Sequence, residues 1–333
     1  MRKELSGIFR NLQTKLGWTN LINQDVDVNP DFARETPEEM TWDYVQANSD
    51  VILFEGLNRL KNEPYYEFGG KYPRERGNYI VSYNEMPLYI GEADNIDKRL
   101  REHYKGSTFL KNYQHKGVKL SLPPDLSMDD FRHQHMIVSW GRKDLEEFGI
   151  VNLPAPLNKF QMEKREKYQS DYIPFLWDSV QTMRSELLSQ GEERLFSLQP
   201  CLWKQADITP TPGIYAIFDT DGKLIYIGES TNVYKRYLTH TTKTGFSAFR
   251  RQVATELFSS KLKTKAELGF QSNDSKKRYV TPEEDDKVTQ FISRCQIRSM
   301  PVMFGRLELE EQLIKNKRPL LNRKGNKQIE DES

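Results

Sequence analysis

The sequence predicts an α+β fold: two tandem small modules, each a three-stranded antiparallel sheet flanked by helices, with a helical N-terminal segment and a helical connector. Three observations predict it: a gapless internal repeat, a strand–turn–strand pattern around each first repeat block, and apolar residues at helical spacing elsewhere. The expected divisions are an N-terminal segment at 1–70, a first module at 71–165, a connector at 166–208 and a second module at 209–325. An insertion near 261–286 and a polar tail at 326–333 complete the chain.

The repeat has two blocks. Residues 89–103 and 226–240 agree at 8 of 15 positions, and residues 141–158 and 305–322 agree at 9 of 18, both without a gap and in the same order. A duplicated module explains this economically. The copies differ in what lies between the blocks. Arg99 to Glu146 spans 47 residues and Arg236 to Glu310 spans 74, the excess falling in the polar 261–286 stretch. Surface insertions cost little stability and often carry binding function.

Each element follows from its own signal. In the second copy, strands at 214–218 and 223–227 flank Asp221 and Gly222, a good hairpin turn. In the first, strands at 79–83 and 87–90 flank Asn84, Glu85 and Met86. Residues 95–104 and 232–240 read as helices, with Arg99 and His103, and Arg236 and His240, four residues apart on one face. A third strand is expected at 136–140 and at 302–304, before closing helices that carry Glu146 and Glu310. Thr281, Pro282 and Glu284 read as a helix start, as do Thr36, Pro37 and Glu39. Leu5, Ile8, Phe9, Leu12 and Leu16 form an amphipathic stripe. Leu176, Trp177, Val180, Met183, Leu187 and Leu188 predict a packed connector helix ending before Gly191.

Composition narrows the function. With 49 Lys plus Arg against 48 Asp plus Glu, the net charge is +1, so any steering of a polyanion has to come from local patches. No apolar run has the length of a membrane span. Cys201 and Cys295 are too far apart to suggest a zinc site, and a reducing cytoplasm fits. His133 and His135 share a strand face, but with no third ligand nearby they read as structural.

Taken together, Gly213, Ile214, Tyr215, then Tyr226, Ile227, Gly228, then Arg236, His240, Glu310 and Asn322 resemble the GIY-YIG nuclease superfamily over residues 209–325. The first copy is similar through Tyr79, Tyr89, Arg99, His103, Glu146 and Asn158, with Asn78 where the family prefers an apolar residue and Ala155 where the second copy has Pro319. The resemblance implies a metal-dependent DNA endonuclease, with Mg²⁺ or Mn²⁺ as cofactor and double-stranded DNA as partner. In it, Glu310 and Glu146 hold the metal and the tyrosines position or deprotonate the attacking water.

The residue chemistry agrees. A single carboxylate can hold one Mg²⁺ that keeps most of its waters, and arginine offers a permanently charged fork for phosphate oxygens. An unperturbed tyrosine titrates near pH ~10, so general-base work needs a nearby cation. Asn322 and Asn158 suit a geometric role, as do Glu92 and Glu229; Glu147 and Glu311 sit beside the metal glutamates. Three readings stand open: a restriction or phage-defence nuclease whose two centres form an intramolecular pseudo-dimer, with further homodimerisation open; a structure-specific repair or homing nuclease; and a DNA-binding protein that does not cut. Nucleic-acid readout is expected from the 261–286 insertion and the N-terminal segment.

Overall fold

The computed structural model describes residues 40–105, 126–153, 155–158, 167–170, 176–242, 244–271 and 276–322, so the expected helix at 5–16, the cap at 36–39 and the tail at 326–333 lie outside the described residues. Residues 40–333 form one unit and 1–39 another. The first half of the larger unit opens with helices α1 (Trp42–Ala47) and α2 (Ser49–Asn62), and the Thr41 side chain caps α1 by accepting from Tyr44 N–H. Strands β1 (Tyr66–Glu67), β2 (Gly77–Tyr83) and β3 (Met86–Ala93) follow, then α3 (Ile96–Tyr104), β4 (Arg132–Ile137) and α4 (Arg142–Asn152). The second half runs α5 (Trp177–Thr182), α6 (Arg184–Ser197), β5 (Cys201–Leu202), β6 (Gly213–Phe218), β7 (Leu224–Ser230), α7 (Val233–Thr242), α8 (Ala248–Gln252), α9 (Pro282–Ile292), β8 (Gln296–Pro301) and α10 (Arg306–Lys317).

Two antiparallel sheets result, with strand orders β1-β4-β2-β3 and β5-β8-β6-β7. Their registers correspond: Tyr79 sits opposite Gly91 and Tyr215 opposite Gly228, and each hairpin shifts register after the same position, at Val81 and at Ile217. Asn84 and Glu85 turn the first hairpin with φ of 46° and 61°, and Gly222 turns the second with φ of 77°. The expected three-stranded sheets are four-stranded, because a two-residue edge strand too short to carry a pattern pairs with β4 and with β8. The third strands also begin earlier than expected. The apolar residues at 138–140 and 302–304 fill the core between strand and helix, while the more polar 132–137 and 296–301 pair with β2 and β6.

The connector is two helices rather than one, and Gly191 lies inside α6 instead of ending it. A side chain at Gly191 would run into the Trp42 ring, so the glycine serves close packing. The helix pairs α1–α2 and α5–α6 match in length, 6 and 14 residues each. Superimposed on that basis, residues 42–62 and 177–197 agree at 8 of 21 positions, Trp42 with Trp177, Gln46 with Gln181 and Gly56 with Gly191 among them.

These helices cross over. Trp42 N–H donates to Gln190 Oε1 and Trp177 N–H donates to Glu55 Oε2, both at 2.8 Å. Gln46 Oε1 accepts from Met303 and Phe304 N–H in the second half, and Gln181 Oε1 accepts from Ser139 and Trp140 N–H in the first. Trp140 and Phe304 meet edge to face, 4.8 Å between centroids. One core cluster accordingly spans both halves, including Ile80, Ile90, Ile214, Ala216 and Ile227. The opposite sheet faces bury separate clusters, with Tyr79, Val81 and Leu88 in one and Tyr215, Ile217 and Ile225 in the other. Burial on both faces is why β6 reads as a continuous apolar run, while β2 carries Asn78 and Ser82 buried within its own.

Beside the aromatic pair lie reciprocal ion pairs with no solvent exposure. Arg142 Nε meets Glu308 Oε1 at 3.1 Å, and Arg306 Nη1 meets Asp144 Oδ1 at 2.6 Å. The carboxylates also accept from Gly141 and Gly305 N–H. Removing one partner leaves a buried unpaired charge. Arg142→Met, which takes from buried Glu308 its ion-pair partner, is therefore expected to destabilise the protein by about 3–5 kcal/mol in urea unfolding; a loss below ~1 kcal/mol would show that the pair is not buried in solution.

Candidate active sites

Both predicted constellations assemble on the sheet face opposite the shared core. In the second half, β6 presents Tyr215, β7 presents Tyr226 and α7 presents Arg236 and His240. The tyrosine rings lie 6.2 Å apart. Asn232 starts α7 by accepting from Lys235 N–H, which sets the rotation of the helix and turns His240 inward. Tyr215 Oη and His240 Nε2 are 2.8 Å apart. Gly228 makes this possible, because a Cβ there would strike the Tyr215 hydroxyl. Asn322 holds β7 in place, accepting from Ile227 N–H and donating to Ile227 O, both at 2.8 Å. The first half repeats each contact. Tyr79 Oη is 2.8 Å from His103 Nε2, its ring 6.0 Å from that of Tyr89, and Asn158 brackets Ile90 through two bonds.

The glutamates on the closing helices divide their work. Glu310 and Glu146 interact electrostatically with the tyrosine pairs. Their neighbours are taken up elsewhere: Glu147 pairs with Arg306 at 2.6 Å, and Glu311 pairs with Arg142 and Arg76. Glu310 Oε1 accepts from Glu229 N–H at 3.1 Å and has no ion-pair partner among the described residues. Burial, with the Glu229 charge added, pushes its carboxyl up to about 8. Glu229 itself is held below the usual carboxylate range, since Lys143 and Arg306 outweigh its burial. Glu92 meets Arg142 at 3.1 Å, yet burial leaves it raised.

Burial also sets the protonation of the remaining groups. Tyr226 is pushed up to about 12 by desolvation and then by Glu310, and Tyr215 lies well above the phenol range. Desolvation drives His240 down to about 3 and His103 to about 4, so both are neutral imidazoles near neutral pH. In the second half, hydrogen bonds link the site to α8. Ser247, fully buried, caps α8 by accepting from Arg250 N–H, and its Oγ lies 2.7 Å from His240 Nδ1. His240 thus bridges Ser247 and Tyr215 through its two ring nitrogens. Tyr226, raised as it is, keeps its proton near neutral pH, so the expected lowering of a tyrosine by a nearby cation is not found in the protein alone.

Sequence reasoning missed several participants. Arg251 interacts electrostatically with Tyr226 and anchors on the Thr244 and Gly245 carbonyls; its position falls between the repeat blocks, where nothing compares. Lys143 reaches from the first half to Glu229 beside the second site, and Leu307 occupies the corresponding place in the other half, so the repeat could not flag it. Arg142 and Arg306 lay inside a matched block and were legible there. The arginines of the two sites also differ. Arg99 donates to Tyr79 Oη and pairs with Glu102, each at 3.3 Å, whereas Arg236 has no ion pair among the described residues. His133 and His135 pack among Tyr66, Phe68 and Tyr72, and no cluster of three or more metal-ligating side chains occurs among the described residues.

In the second half a tyrosine pair, an arginine and a carboxylate thus interact on one sheet face. Residues 211–325 match the model of the GIY-YIG family, described as the GIY-YIG catalytic domain. Neither the comparison with curated proteins nor that with solved structures returns a match. Nucleases of this family are generally dependent on a divalent metal, and the residues fit one: Glu310 makes no ion pair among the described residues, and a single carboxylate suits a hydrated hard ion. Such an ion would polarise the phosphate and steady the leaving oxygen. No helix among the described residues is long and apolar enough to cross a membrane.

Glu310 predicts a pH signature. Its folded pKa is raised above its unfolded value, so ionising it costs stability; that cost begins near the model-peptide value of 4.5, grows as pH rises and levels off above about 8. In EDTA, Glu310→Gln is expected to raise the unfolding temperature more at pH 9 than at pH 6. An effect equal at both, or absent at both, would contradict the uncompensated burial.

Proposed function

We propose that the chain is a Mg²⁺-dependent DNA endonuclease in which two GIY-YIG centres, one in each half, form an intramolecular pseudo-dimer, serving restriction or phage defence. The observation that carries this reading is reciprocity. Arg142 to Glu308 and Arg306 to Asp144 are the same contact made twice, as are Gln46 to Phe304 and Gln181 to Trp140. Self-complementary contacts of this kind mark two-fold assembly. On this reading the repeat unit is longer than its two sequence blocks and runs over 42–158 and 177–322. Two centres in one chain could cut both strands of double-stranded DNA without a second chain. The 261–281 part of the insertion, rich in Lys and Arg, would read the substrate; residues from 282 onward belong to α9, whose Val288 and Ile292 enter the core.

A second reading has its own support. Arg99 is engaged by Glu102, and Lys143 has no counterpart serving the first site, so the first half could position DNA while the second cuts. Plasmid cleavage with Mg²⁺ separates the two. If both centres are live, the wild type linearises supercoiled DNA, while Glu146→Ala and Glu310→Ala each only nick it. If Glu146→Ala still linearises and Glu310→Ala is inert, the first half is a recognition domain. A wild type that binds and never cuts would defeat both.

A further inference from the structure

Next to the second site, the chain between α7 and α9 forms a small cavity of about 230 Å³ lined by Thr242, Thr244, Gly245, Phe246, Tyr279 and Asp285. Nothing in the phosphodiester chemistry uses it. Two of its walls are aromatic. Tyr279 lies across Gly245, where any side chain would collide with the ring, and Phe246 is 51% exposed. Lys277 Nζ sits 4.3 Å from the Phe246 ring centre and Lys265 Nζ 5.6 Å from that of Tyr279. Lys261, Lys263, Lys276 and Arg278 stand on the same segment.

The polar wall is a carboxylate. Asp285 Oδ1 accepts from Arg250 Nη2 at 2.7 Å and from the Thr244 hydroxyl, while Oδ2 accepts no bond among the described residues. Buried Arg250 also bonds the His240 and Thr241 carbonyls, so this wall is tied rigidly to the helix of the active site. Arg251 joins the cavity floor to Tyr226 by its bonds to Thr244 and Gly245.

We propose that this cavity seats a single unpaired nucleobase, cytosine, displaced from the DNA beside the scissile phosphate. The inference rests on the nuclease reading for its biological setting and on the cavity for its chemistry. Aromatic faces flanked by lysines suit a base and its adjoining phosphates. A carboxylate inside repels phosphate and accepts from an amine, the pairing carboxylates make with cytosine N4. The volume is below that of ordinary small-molecule pockets, which suits a pyrimidine.

Binding without metal tests this without requiring cleavage. Fluorescence anisotropy in EDTA would compare duplexes that differ at one position: an unpaired cytosine, an unpaired thymine or an abasic site. The wild type is expected to bind the cytosine duplex about ten-fold more tightly than the abasic one, as base stacking on aromatic side chains allows. Phe246→Ala, at an exposed position, should abolish that difference. Asp285→Asn should bring cytosine level with thymine. A wild type that does not distinguish the three duplexes, or a Phe246→Ala variant that still does, overturns the proposal. Discrimination without any cutting in Mg²⁺ would leave the pocket standing and remove the nuclease reading; cutting without discrimination would do the reverse.

Discussion

Four charges that never meet water, on Arg142, Glu308, Arg306 and Asp144, constrain everything else in this protein. The buried carboxylates depend on these arginines, because an unpaired ion in the interior costs several kcal/mol. Every pair joins one half to the other. The halves therefore have no inexpensive way to separate, and the Trp140–Phe304 contact and the crossed helices add apolar burial at the same seam. Arg142 and Arg306 are the first residues of α4 and α10, so the seam also fixes where the closing helices start. Glu146 and Glu310 lie one turn further on and inherit that position.

Within each site, apolar surroundings do the electrostatic work. Desolvation keeps the tyrosines protonated and the histidines neutral, and in the second site it outweighs Lys143 and raises the Glu310 carboxyl. Hydrogen bonds then join Ser247, His240 and Tyr215, and Arg251 interacts electrostatically with Tyr226. Backbone geometry supports this order: Gly228 admits the Tyr215 hydroxyl and Asn322 pins the strand that carries Tyr226.

Much of this was legible in the sequence, for a physical reason. The tyrosine, arginine and histidine positions depend on local spacing along a hairpin and one helix, and spacing is what a sequence displays. The edge strands were not legible, since two residues carry no periodicity. Residues 42–62 and 177–197 escaped because their shared positions, Trp42 with Trp177 and Gly56 with Gly191, are dispersed and serve packing, with no short motif to draw attention. Glu55 accepting from the N–H groups of Leu176 and Trp177 depends on tertiary approach across more than 120 residues. Lys143 was hidden by asymmetry, and Arg251 and Ser247 by lying between the two repeat blocks.

The central claim is that the two halves are one folded object joined by buried charge. It is tested most directly by severing the chain between residues 159 and 166 in the intact, folded protein and recording its native mass. The seam described here predicts that both pieces stay together at neutral pH and unfold in a single transition. Two pieces that separate, each still folded, would contradict it.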